Sequence, residues 1–161
     1  MKAESIEKGS SLILTSMFKF MMEKGYNPSF ESGSIQFKLG DDIAVVEYNK
    51  GITSVRLFYT IDEDEYDLFL EASNMAMLKS YATKIAVLDN MTDLMFSCEF
   101  PCENIRDFKR FLPKSVDLLT DALKTHKEEM RRLIIASGVV SATIPATDSS
   151  MAGIGKRKII S

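Results

Sequence analysis

A chain of 161 residues, 45% hydrophobic and 27% charged, is long enough to bury one self-sufficient core, and its composition is that of one soluble globular domain. Two cysteines, ten methionines and no tryptophan exclude a disulfide-stapled secreted scaffold and fit a reducing cytoplasm. Up to Met130 there are 15 Lys and Arg against 22 Asp and Glu, whereas Arg131 to Ser161 holds five basic residues and only Asp148. Such an acidic body repels a polyanion and offers no basic groove for phosphates, which argues against nucleic acid as a partner.

The opening "MKAESIEKGSSLILTSMFKFMM" has an apolar run, but Glu4 and Glu7 precede it and Lys19 interrupts it, so neither a signal-peptide core nor a membrane span is expected. Ile6, Ile13, Met17, Phe20 and Met21 recur at helical spacing, and Gly25 supplies a stop, so a first helix should end near Lys24. "YNPSFESGS" reads as turn. In "IQFKL" the apolar Ile35, Phe37 and Leu39 alternate with Gln36 and Lys38, the period of a half-buried strand. "IAVVEY" and "ITSVRLFYT" follow, each after a glycine-bearing turn, and complete a three-stranded antiparallel meander.

The acidic cluster from Asp62 to Asp67 precedes an amphipathic stretch. Carboxylates at a helix N-terminus face the positive end of its dipole, which accounts for the cluster without a metal; a calcium loop would need a central glycine that "DEDEYDLFLEAS" lacks. Tyr66, Phe69, Leu70, Ser73, Met77 and Leu78 fall on one side of this second helix and are expected in the core. "KIAVLD" and "TDLMFSCEF" read as two further strands. In the latter Leu94, Phe96, Cys98 and Phe100 share one face, which places Cys98 as core filler. Cys98 and Cys102 are too far apart along extended chain for a disulfide, and two cysteines with the single His126 do not make a structural zinc set.

From Ile105 an apolar stripe runs through Phe108, Leu112, Val116, Leu119, Leu123, His126, Met130 and Leu133. Pro113 predicts a division into a short helix from about Glu103 to Phe111 and a longer one starting near Pro113. His126 lies on the stripe as a packed residue, since no nucleophile or carboxylate motif accompanies it. Residues 1–132 therefore form the folded domain and 133–161 a C-terminal tail. "GIGK" within that tail lacks the spacing of a phosphate loop, and its apolar runs suit docking on the chain's own surface or a partner's.

The order helix, three strands, helix, two strands, long helix resembles the YbjN-like family and the related type III secretion chaperone fold over about Ser11 to Met130. "FMMEKGYNPSFE" leading into "IQFKL", "LFLEASNMAMLKSYATKIAVLD" and "LMFSCEFPCENIRDFKRFLPKSVDLLTDAL" carry the likeness. Asn74 matches an asparagine frequent in the family's central helix, while Met77 and Leu78 stand where a second polar residue is common. The resemblance implies an α+β domain with a five-stranded antiparallel sheet packed by helices, a homodimer, and neither catalytic residues nor a cofactor. For the chaperone branch it implies a small acidic protein that keeps a partner's segment extended.

The leading expectation is a cytoplasmic, non-enzymatic module that holds an extended protein segment. No catalytic, cofactor-binding or metal-binding residue is assigned, and the partner-binding residues stay open. Two other readings stand beside it: a small acid–base enzyme built from carboxylates and His126, and a purely structural dimerisation domain suggested by the long final stripe.

Overall fold

The computed structural model describes residues 2–138, with side chains for 12–138. Its elements are α1 (Lys2–Glu23), β1 (Ser29–Glu31), β2 (Ser34–Leu39), β3 (Asp42–Asn49), β4 (Ile52–Thr60), α2 (Tyr66–Lys79), β5 (Thr83–Val87), β6 (Asp93–Pro101) and α3 (Ile105–Ala136). The strands form one sheet in the order β1-β2-β3-β4-β6-β5.

Glycine and primed turns set the sheet's start. The first helix stops where Gly25 takes φ +81°; Tyr26 N–H donates to the Met21 carbonyl and Gly25 N–H to that of Met22, the paired closure that satisfies a helix's last carbonyls. Lys50 (φ 50°) and Gly51 (φ 80°) make a two-residue turn between the paired Asn49 and Ile52, and both positive angles match the right-handed twist of the flanking strands. Ser32 (φ 50°) and Gly33 (φ 82°) do the same between Glu31 and Ser34. That second turn corrects the strand count: "SFE" pairs with β2 as a sixth strand, where the sequence reading had only turn. Three residues, all exposed, carry no burial pattern from which a strand could be read.

The described chain divides into two compact units, one holding the residues up to Leu57 with Cys98–Asp117, the other Phe58–Ser97 with the chain from Leu118 onward. In the first, the register places Ile35, Val46 and Val55 in one cross-strand row and Phe37, Ala44 and Leu57 in the next. All six are buried, together with Met17, Phe20 and Met21 of α1 and Phe108 and Leu112 of α3. Phe20 meets Phe108 edge-on at 5.9 Å between centroids. Cys98 and Cys102 are buried free thiols in this unit, as packing residues would be, and burial pushes both thiols up from the ordinary cysteine value. On the sheet, Arg56 donates to Glu47 at 3.1 Å and to Glu99 at 3.3 Å.

In the second unit the core gathers Tyr59, Ile61, Phe69, Ala72, Ala76, Ile85, Leu94, Phe96, Leu119, Ala122 and His126. Two expectations are corrected here and along α3. The inner face of α2 is Phe69, Ala72, Ser73 and Ala76, whereas Leu70, Met77 and Leu78 are exposed. Pro113 does not divide α3, which is one helix of 32 residues. Pro113 lies on the exposed side, where water can take up the Lys109 carbonyl that a proline leaves without its N–H, and the buried stripe on the opposite side holds the helix together. The helix also runs past Arg132 to Ala136; residues 139–161 lie outside the described residues. Among the described residues no helix is long and apolar enough to cross a membrane.

Candidate functional site

His126 is the first residue to place, because with the carboxylates it carries the alternative of acid–base chemistry. It is fully buried, stacked beside Phe69 at 6.0 Å and met edge-on by Phe96 at 5.3 Å. Its Nε2 lies 3.3 Å from Ser73 Oγ, and its Nδ1 has no hydrogen-bond partner. Burial lowers its pKa from 6.5 to about 4, so the ring is neutral at pH 7. A serine and a histidine are thus adjacent, but Nδ1 lacks the carboxylate that would orient a general base.

Glu129, one turn further along α3, is turned to other work. It accepts from Lys79 of α2 and, at 2.7 and 2.9 Å, from the Arg132 guanidinium. The hydrogen bonds from Lys79 and then Arg132 hold its carboxyl below the ordinary glutamate value. It is 3% exposed because these two cations cover it rather than because it lies deep. Its bonds clamp α2 to α3.

Asp62, Glu63, Asp64, Glu65 and Asp67 surround a single 3-10 turn at Glu63–Glu65 that leads into α2, where they face the helix's positive end. Partial burial, then Asp62 and Asp64, raise the Glu65 pKa. Among the described residues no group of three or more His, Cys, Asp or Glu is placed to hold a metal. A cleft of about 210 Å³ lined by Ser16, Lys19, Phe20, Glu23, Ile105 and Lys109 is smaller than the roughly 300 Å³ at which ligand pockets begin, and Lys109 already lies over the Phe20 ring at 5.7 Å.

The feature that stands apart from ordinary packing is the outer face of α2. Leu70, Met77 and Leu78, followed by Tyr81, are 36%, 37%, 80% and 82% exposed. Spacings of seven and eight bring Leu70, Met77 and Leu78 to one side of the helix, with Asn74 among them, away from the buried Phe69, Ala72, Ser73 and Ala76, while Tyr81 follows just past the helix end. Single exposed apolar residues are normal on a protein surface; three on one helix face with a fourth just beyond its end form a patch, and patches mark interaction sites. Ala72 and Ala76 are buried, and α2 contacts β5, which is the last strand of the sheet. As the last strand, β5 has one backbone edge without a neighbouring strand, and exposed Lys84 sits within it.

Sequence reasoning found α2 but assigned three of its outer residues to the core. Two stripes at helical spacing compete on this helix, one of Phe, Ala and Ser and one of Leu and Met, and ranking by size of apolar group favours the wrong one. The signal that separates them is Ala72 and Ala76, which as an i,i+4 pair mark close approach to a neighbour.

No protein-family model matches the chain, and no curated protein matches it. A solved structure does: the crystal structure of YbjN, a putative transcription regulator from E. coli, superposes with a TM-score of 0.60 at 10% identity, covering 72% of this chain and 93% of that one. The chain has a YbjN-like fold, in agreement with the resemblance carried by its element order.

Proposed function

We propose that this chain is a non-enzymatic, chaperone-like protein-binding module that receives an extended protein segment on the outer face of α2 and the edge of β5. The observation that carries the reading is the row Leu70, Met77 and Leu78, exposed on a helix whose other face is already in the core, with exposed Tyr81 just beyond the helix end. An edge strand supplies main-chain donors and acceptors, and an apolar wall beside it selects side chains, which is how strand addition combines affinity with choice. The acidic body favours a segment with basic character. The likeness to secretion chaperones, a cytoplasmic setting and a homodimer belong to the same proposal, with no surface assigned to the dimer. The structural neighbour's description as a putative transcription regulator fits a chain that acts through proteins, since the acidic body opposes direct contact with DNA.

The test uses the full chain and a Leu78→Asp/Tyr81→Asp variant as parallel baits for host-cell proteins, quantified by mass spectrometry. One protein retained by the parent and lost from the variant supports the reading. Equal retention by both baits, or nothing specific on either, removes it.

A further inference from the structure

The α2 patch belongs to the same compact unit as the C-terminal part of α3, and the sequence continues for 23 residues beyond Gly138. Ser73 faces His126 and Lys79 reaches Glu129, so α2 and α3 run in the same general direction. The end of α3 therefore lies toward the Tyr81 end of α2, and a segment running from it along α2 would do so in the opposite direction. From Glu129 to Ala136 α3 advances about 10 Å, and the 14 residues of α2 span about 21 Å. Eighteen residues from Gly138 to Lys156 reach roughly 60 Å when extended, about twice the path to the start of α2.

The composition of this segment matches what it would meet. Val139, Val140, Ile144, Met151 and Ile154 supply apolar side chains, and Lys156, Arg157 and Lys158 follow them. The α2 surface presents the same order, with the apolar row first and then the five carboxylates of Asp62–Asp67, for which no cation partner stands among the described residues.

We propose that the chain's own residues 139–161 occupy the α2 face in cis, apolar residues on Leu70, Met77 and Leu78 and Lys156–Lys158 on the acidic cluster. This rests on the reading of that face as a protein-docking surface, and it makes the tail an internal occupant that an incoming segment displaces. The site is then covered until a better ligand arrives, and a basic partner competes for the same carboxylates.

The full chain is labelled with a nitroxide at Ser149→Cys or Ser161→Cys and its amide spectrum recorded. Cys98 and Cys102 are buried with raised thiol pKa values, so the introduced thiol takes the label. The expected result is loss of the Leu70, Asn74, Met77 and Leu78 signals with the label at 149, and of the Glu63–Asp67 signals with the label at 161. Lys156→Glu/Arg157→Glu/Lys158→Glu in the 161-labelled chain should restore the Glu63–Asp67 signals. Mixing isotope-labelled, spin-free chain with spin-labelled, isotope-free chain should leave every signal intact. Unaffected α2 signals, loss at only one of the two regions, loss that survives the charge reversal, or equal loss in the mixed sample each overturn the proposal. These readouts follow the tail itself, so they can fail while the bait comparison succeeds, and the reverse.

Discussion

At His126 the fold keeps an imidazole where it cannot hold a charge. An aromatic environment and a single serine partner stabilise the neutral ring, and burial takes the pKa from 6.5 to about 4. Between these values the unfolded chain binds a proton that the folded chain refuses, so stability falls as pH drops from 6.5 toward 4. From pH 7 to pH 5 the loss should be roughly 2 kcal/mol, read from denaturant unfolding at each pH. His126→Leu should flatten that dependence. A slope unchanged by the substitution would show that some other group titrates. Glu129 acts in a lower window: its carboxyl is depressed by Lys79 and Arg132, so its contribution is present above the ordinary value of 4.5 and disappears as pH falls through its folded value. The sequence shows His126 on the α3 stripe and leaves Glu129 off it, and it shows neither neighbour, because Ser73 and Lys79 lie about fifty residues away along the chain.

At the scale of elements, α3 shows how tertiary burial overrides a local preference. A proline in a helix interior costs about 3 kcal/mol against alanine, yet the helix persists because Phe108, Leu112, Leu119, Ala122 and His126 are all buried on its other side. Pro113→Ala should raise the denaturation midpoint and stabilise the chain by about 1 to 3 kcal/mol. A neutral or destabilising result would mean that the helix is already adapted to the proline's bend. The same comparison explains what was legible. Strands β2, β3 and β4, beside glycine-bearing turns, and β6, after the Asn90 turn, carry alternating or β-branched sequence and could be read directly. Strand β1 could not, since nothing in "SFE" distinguishes a short edge strand from loop. The α2 face was misread for a different reason: periodicity fixes that a helix has stripes, while the side that turns inward depends on the neighbour it packs against.

For the whole molecule, the outer α2 residues give a separation between folding and binding. Leu78 is 80% exposed, so Leu78→Asp should change unfolding free energy by no more than about 0.5 kcal/mol while weakening partner capture. A large loss of stability would show that Leu78 contributes to the folded core and not only to a docking face. Sedimentation at high concentration tests the homodimer: a mass of twice the chain is expected, and a strict monomer removes the dimer while leaving single-chain binding open. Added salt should weaken retention of a basic segment, since the carboxylates at Asp62–Asp67 are solvent-screened, and leave the apolar component in place.

By itself the sequence determined the α+β class, the order of the longer elements and the acidic body, because turn chemistry, side-chain period and charge are local properties. Only the tertiary structure decided that His126 stands against Ser73 without an orienting carboxylate, that Glu129 clamps two helices, and that Leu70, Met77, Leu78 and Tyr81 face outward. Each of these depends on which distant surfaces meet, and hydrophobic attraction has no direction by which one strand or helix could announce its neighbour.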